Sequence, residues 1–499
     1  MEHFDTRDSQ DDSRGAGASG AEARGAEAGS DEAGGAELLR FLSSSPTPYH
    51  AAAGAAARLR EHGFAEIDET ERWRLEPGRA YALQRAGSAI VAFRVGTGAP
   101  ADSGFRILAA HLDSPALKLK VRGTERFHDL LRVPVEVYGG PILSTWLDRD
   151  LGIAGRLMVR SSEAHGDADH SVESVLVRTD EPVAIIPNLA IHLNRELNKG
   201  FEYNPQDHLA AVVNPARIAK DSCDPPERAE SSTGSQGGER AGSQERASRE
   251  LSRFPKAAAA LVGELAENAA VELERVLSWD LMLWDTSAAT TLGSGSRLYA
   301  GGRLDNLVGA WSALEALVEA EPGEATQVVV LFDAEEIGSK AGPGADSSFL
   351  EGVLGRIVTA LGGDSEDYYR AAARSLLVSN DAAHALHPGY AAKYDGDYAP
   401  VLGGGPAIKL NAKLRYATST LGAARVEAAA EQAGVPLQYL AVRSDMRSGS
   451  TIGPFGWART GIDPVDIGVP IIAMHSIRET GDLRDAHALV ALQRRLLEM

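Results

Sequence analysis

The sequence predicts an α/β protein, an open, mixed and mostly parallel sheet with flanking helices, into which a β-rich domain is inserted. Three observations carry that prediction. Short β-rich runs at 105–109, 328–332, 376–379 and 470–474 alternate with helical stretches, the pattern of a sheet covered on both faces. The segment 306–321 places Leu307, Ala310, Trp311, Leu314, Leu317 and Val318 at helical spacing, which reads as an amphipathic helix packed on one face. Between about Val121 and Val213 the runs 133–138, 154–159, 175–177 and 184–186 follow one another with few helical signals, so that stretch reads as a separate β-rich layer.

At 499 residues the chain exceeds one ordinary domain. Residues 1–35 are mostly Gly, Ala, Ser, Asp and Glu, and 221–252 repeat that composition, as in Ser231-Ser232-Thr233-Gly234-Ser235-Gln236-Gly237-Gly238. Such segments bury too little surface to offset their ordering entropy, so a disordered N-terminal extension and a flexible insertion are expected. The rest divides into a principal α/β domain, 36–118 and 253–499, and the β-rich domain at 119–220. A net charge of −20 argues against nucleic acid or an anionic membrane as partner, since both ask for basic surfaces. No apolar run reaches the roughly 18 residues a membrane span needs. The opening Met1-Glu2-His3-Phe4-Asp5 lacks the basic and apolar regions of a secretory signal. The single cysteine, Cys223, excludes an internal disulfide and leaves any metal site to His, Asp and Glu. A cytoplasmic address fits these features.

Asp333-Ala334-Glu335-Glu336 follows the apolar run 328–332 directly. Acids crowded at the end of a buried strand repel one another unless they share cations. Ligands of an open α/β sheet bind beyond the carboxyl ends of its strands, and other runs end on similar chemistry. The run 105–110 leads to His111-Leu112-Asp113, 376–380 to Asp381 and 470–474 to His475, while Asp305 precedes the helix at 306–321. Taken singly, a strand-end Asp is often a helix N-cap and a lone His a structural residue. Five such groups at corresponding places in the topology point instead to a two-metal hydrolytic site. Two divalent ions about 3.5–4 Å apart can polarise a carbonyl, generate hydroxide and anchor an amine. The pair asks for a bridging carboxylate, then a His and a terminal carboxylate for each ion; two His and three acids meet that count. One acid of the Glu335-Glu336 pair is left over as general base. Asp113 is placed to accept from the His111 ring nitrogen that a metal does not use.

These motifs together resemble the M18 metallopeptidases, the aspartyl aminopeptidase family. The resemblance runs from about Glu37 to about Arg478, in the family's order: Phe41 to His50, Ala110 to Pro115, Tyr138-Gly139-Gly140, Trp146 to Leu151, Ile186 to Leu193, Arg303-Leu304-Asp305-Asn306, Glu335 to Ser339, Asp381 to Pro388 and Met474 to Glu479. It implies a zinc exopeptidase-like fold and two Zn2+ per subunit, with Mn2+ or Co2+ acceptable to the same N/O ligand set. It places His111, Asp305 and Asp381 around one ion and Asp305, Glu336 and His475 around the other. Glu335 is then the general base, with Asp113 beside it in the catalytic set. The implied reaction removes N-terminal residues from peptides, Asp and Glu preferred. The resemblance also assigns His384, Lys409 and Tyr416 to the substrate pocket, where a lysine favours an acidic side chain. On the sequence alone His192 reads as the core histidine of an apolar strand; by resemblance it reaches the active site of a neighbouring subunit. The inserted domain then serves dimerisation within a homo-oligomer, a tetrahedral dodecamer.

Two rival readings use the same residues: a related dizinc amide hydrolase, such as a deacylase or carboxypeptidase, and a catalytically silent scaffold particle. The intact ligand set argues against the second. Ser444-Asp445-Met446-Arg447-Ser448-Gly449-Ser450 departs from the family's Asn-Asp-x-Pro-Cys-Gly, which bears on substrate preference. Gly293-Ser294-Gly295-Ser296 and Gly403-Gly404-Gly405-Pro406 form no phosphate-loop or dinucleotide signature. No nucleophile elbow is present, and His165 and His170, in an acidic loop, read as solvent-exposed.

Overall fold

The computed structural model describes residues 34–161, 172–214 and 255–499. The expected insertion 221–252 lies outside the described residues, as do Cys223, His165, His170 and the expected extension up to residue 33. Residues 34–44 are helical, so regular structure begins inside the segment expected to be disordered through residue 35.

Seven elements position the site: α1 (Pro48–Glu61), β1 (Phe105–His111), α2 (Leu304–Glu319), β2 (Thr326–Phe332), β3 (Leu376–Asn380), β4 (Pro464–Gly468) and α3 (Leu483–Leu497). A nine-stranded sheet runs in the order Ala65–Glu66, Ala80–Arg85, Ala89–Arg94, β2, β1, β3, β4, Ala407–Leu410, Gln438–Ala441. Its four central strands are parallel, with Leu108 opposite Val329 on one side and Val378 on the other. The flanking strands Ala89–Arg94 and Ala407–Leu410 are antiparallel to β2 and β4. From β1 the chain adds β2 on one side and β3 on the other, and this reversal opens a crevice at the carboxyl ends.

Alternation along each strand builds a core on both faces. Leu108, Ala110, Val329 and Leu331 join α1, α2 and α3, while Ile107, Ala109, Val328 and Val330 join Phe349, Leu354 and Ile357. The helix expected over 306–321 spans 304–319 and is buried all round from Leu304 to Leu317. It is not amphipathic in use, because α1 and α3 cover the side turned away from the sheet. Its buried Glu315 receives Arg58 at 2.7 and 3.1 Å.

Two expectations are corrected. The run 470–474 is not a central strand; only Pro470–Ile471 is extended, pairing with Ala383–His384, and β4 supplies the central strand. Proline cannot donate to a ladder, and Ala473 and His475 turn the chain at φ +62° and +68°. The return to the principal layer also comes later than residue 253. Lys256–Asn268 packs into the second core, and Val276–Asp285 pairs along Leu151–Arg160 in a second nine-stranded sheet. Nothing local marks this, because the partner strand lies far back in the chain.

That pairing depends on Gly155, which has φ +156° and where a Cβ would stand 2.0 Å from the Asp280 carbonyl oxygen. Gly155→Ala is expected to cost on the order of 2–3 kcal/mol, read as a lower thermal midpoint. A midpoint equal to the parent's would contradict this account of the second sheet.

Candidate active site

Segments distant in sequence meet beyond the carboxyl ends of the central strands. β1 ends on His111, β3 ends immediately before Asp381, and Asp305 is the second residue of α2. After β2, Ala334 at φ +62° and Gly338 at φ +98° bracket a single 3-10 turn that carries Glu335 and Glu336. Asp333 accepts from the Ala334 amide at 2.7 Å and serves the turn.

Asp305 is the hub. Its Oδ1 lies 3.6 Å from His111 Nε2, which is also 3.6 Å from Asp381 Oδ1. Its Oδ2 lies 3.4 Å from His475 Nε2, itself 3.4 Å from Glu336 Oε1. Two triads result, His111–Asp305–Asp381 and Asp305–Glu336–His475, each with ligand atoms within 4.8 Å of one another. A third group joins His111 to Glu335 and Glu336. Nitrogen and oxygen ligands at about 2.0–2.2 Å on a tetrahedral ion stand roughly 3.3–3.6 Å apart, so both triads fit a divalent cation. Asp305 Oδ1 and Glu336 Oε1 are buried with no hydrogen-bond partner, a rare state for an acceptor unless something positive faces it.

The electrostatics agree. Burial first, then the charges of Asp381, Asp113 and Asp305, push Glu335 up to about 8. Burial and the Asp305 charge hold Glu336 well above the usual carboxylate range. Burial alone would lower both histidines, yet the carboxylates beside them outweigh it, carrying His475 to about 10 and His111 well above its ordinary value. Burial opposes the charge on Asp305 too, but the His111 and His475 rings beside it keep it far below the usual range.

The cluster is framed from behind. The buried Asp113 carboxylate accepts the Glu335 and Glu336 amides, each at 3.1 Å, and the Tyr138 hydroxyl at 2.9 Å. It is therefore not the main partner of His111: the ring's Nδ1 faces the Asp113 carbonyl oxygen at 3.0 Å, with the carboxylate at 3.5 Å. His475 Nδ1 likewise faces the Gly140 carbonyl at 3.0 Å. A carbonyl at Nδ1 selects the tautomer that leaves Nε2 free to ligate. Ser114 donates to the Asp305 carbonyl at 2.7 Å, and Asn306 donates to the Asn380 carbonyl at 2.6 Å, tying the start of α2 to the end of β3. Sequence reasoning gave Tyr138, Ser114 and Asn306 no role. They lie inside or beside the motifs it singled out, but their partners are remote in the chain.

A pocket of about 460 Å3 opens beside His475, lined among others by His384, His387, Tyr390, Lys393, Met446 and Arg447. Burial, then the Lys409 charge, lowers the His384 pKa. Lys409 and Tyr416 do not line this pocket. They are buried behind it, with Lys409 Nζ 3.3 Å from Asp381 Oδ2 and 5.3 Å from the Tyr416 ring centre. His192 does not join the cluster and is not on a strand. It sits on an exposed turn closed by the Leu193 amide on the Ala190 carbonyl at 2.8 Å.

A mixed sheet that gathers two histidines and several acids beyond its strand ends defines a metallopeptidase of the zinc exopeptidase-like fold. The family model described as aminopeptidase I zinc metalloprotease (M18) matches residues 41–495, and the chain belongs to that family of aminopeptidases. It is 40% identical over 453 residues to a probable M18 family aminopeptidase 2 of Stutzerimonas stutzeri, covering 91% of this chain and 95% of that protein. A protein of the same description from Pseudomonas aeruginosa (strain UCBPP-PA14) is 39% identical with the same coverage. Among solved structures, the chain is similar to one from the Ape4 and Nbr1 complex, with TM-score 0.83, 34% identity and 94% and 86% of the two chains covered. It is also similar to the S. cerevisiae mApe1 dodecamer, with TM-score 0.76, 27% identity and 94% and 96% covered.

Without cations the carboxylates of this cluster face one another. Stripping them with a chelator is expected to lower the thermal midpoint, and zinc should restore it; a ligand at 1,000 times its Kd contributes about 4 kcal/mol. A midpoint insensitive to chelator would contradict the metal assignment.

Proposed function

We propose that the chain hydrolyses the first peptide bond of peptides at a centre of two Zn2+ bridged by Asp305, with Asp and Glu preferred as the N-terminal residue. The observation that carries this reading is the divided Asp305 carboxylate, one oxygen toward His111 and Asp381 and the other toward His475 and Glu336. His111, Asp305 and Asp381 would hold one ion, and Asp305, Glu336 and His475 the other; Mn2+ or Co2+ suits the same donors. Bound cations supply Lewis acidity that polarises the carbonyl and acidifies water. Glu335 clusters with His111 but belongs to neither triad that contains Asp305, and Asp113 fixes its backbone. Its carboxylate is therefore the group that takes the proton of the attacking water and returns it to the leaving amine. The pocket beside His475 receives the first side chain, and Lys393 and Arg447 on its wall match an acid. Lys409 acts from behind by holding Asp381, with His384 at the pocket wall and Tyr416 packed on the lysine.

Assembly into a homo-oligomer, dodecameric by similarity to the mApe1 dodecamer, belongs to the same reading. Exposed Leu189, Ile191 and Leu193 surround His192 with apolar surface that a second subunit would cover, and His192 would then serve that subunit's site. A cytoplasmic address rests on the sequence; among the described residues no helix is long and apolar enough to cross a membrane.

Glu335→Gln is expected to lower kcat by roughly 10²–10⁴ with zinc content unchanged; full turnover removes the base assignment. The parent should cleave Asp- and Glu-aminoacyl substrates faster than Leu-aminoacyl ones. Cleavage of N-acetylated peptides would favour a deacylase instead.

A further inference from the structure

The loop that carries His475 has its base closed by a two-way bridge, the Ile472 amide on the Thr480 carbonyl at 2.8 Å and the return bond at 3.1 Å. Between these ends His475 adopts φ +68°, a region that side chains beyond glycine rarely occupy without support. The support comes from Glu479, four residues on. Its carboxylate Oε1 accepts the His475 amide at 2.7 Å, and its Oε2 accepts the Asp305 amide at 3.1 Å. Glu479 is 2% exposed. No lysine or arginine forms an ion pair with it among the described residues; Arg303 acts on it only at longer range. It opens the strand Glu479–Asp482, where it pairs with Gly301, four residues before Asp305.

The arrangement repeats, on the other side of the centre, what Asp113 does. Asp113 spans the amides of Glu335 and Glu336; Glu479 spans those of Asp305 and His475. Neither belongs to a ligand triad. A carboxylate with both oxygens on the amides of two ligands, drawn from segments far apart in the chain, locks the ligands against each other. We propose that Glu479 is a positioning residue of the metal centre, setting the bridging Asp305 against His475 and so governing the affinity of the cation those two share with Glu336. The inference rests on the two-cation reading above. In the sequence the only sign is an acid four residues after a ligand histidine, in a motif whose histidine alone carries an expected role.

Glu479→Gln keeps the shape of the side chain but turns an NH2 toward one of the two amides, donor against donor. Groups that orient metal ligands change affinity by about 10–100-fold when altered. Zinc transfer from the purified holoprotein to a chromogenic chelator reads the two ions separately. The parent is expected to release zinc in two phases. In Glu479→Gln one phase should be at least tenfold faster and the other within threefold of the parent, and excess zinc should restore peptide cleavage. Glu479→Asp, which keeps the charge but cannot span both amides, should show the same split if the glutamine variant does not fold. Two phases unchanged in a folded variant, with only the thermal midpoint lowered, would make Glu479 a purely structural residue and overturn the proposal. A single phase in the parent would instead remove the two-cation reading, and the proposal with it.

Discussion

The placement of Asp305 is the constraint on which the rest of the structure depends. A buried carboxylate surrounded by other carboxylates is costly unless positive charge lies between them. Here each oxygen of Asp305 faces one imidazole and one further acid. The distances suit a small divalent ion on either side, and two of the acceptor oxygens have no other partner. The triads belong to one centre because they share this residue.

The fold delivers the groups without long-range flexibility. β1 and β3 are hydrogen-bonded neighbours, so His111 and Asp381 arrive together. β2 pairs with β1 in register as far as His111, which brings its glutamate turn alongside. Asp305 comes from a helix buried between sheet and helices, and Asn306 ties that helix start to β3. The second sheet contributes Tyr138 to Asp113, while Gly140, two residues on, holds His475. The β-rich layer is therefore part of the frame that holds the site.

Much of this was legible. His111, Glu335, Glu336 and Asp381 follow apolar runs whose strands are buried almost throughout, and strand ends are where an α/β sheet places its chemistry. His475 was legible as chemistry but not as place, because 470–474 has the composition of a strand while Pro470 and two left-handed residues break it. The second layer's return past residue 253 was hidden because strand pairing over such separation leaves no local mark. For Lys409 the pocket role comes from the resemblance alone, and nothing near it in sequence announces its ion pair with Asp381. Asp113 was assigned to the right neighbourhood but the wrong atom, its carboxylate being taken by amides beyond β2. Glu479 was overlooked for a similar reason: its partners are backbone groups, which sequence patterns do not display.

The central claim is that Asp305 joins two cations in one centre, and zinc content per chain in Asp305→Ala tests it most directly beside Asp381→Ala. With the bridge removed, elemental analysis of folded protein should find both ions lost together. Asp381→Ala should keep the ion held by Asp305, Glu336 and His475. An Asp305→Ala protein that retains one tightly held zinc would contradict the bridge and separate the triads into independent sites.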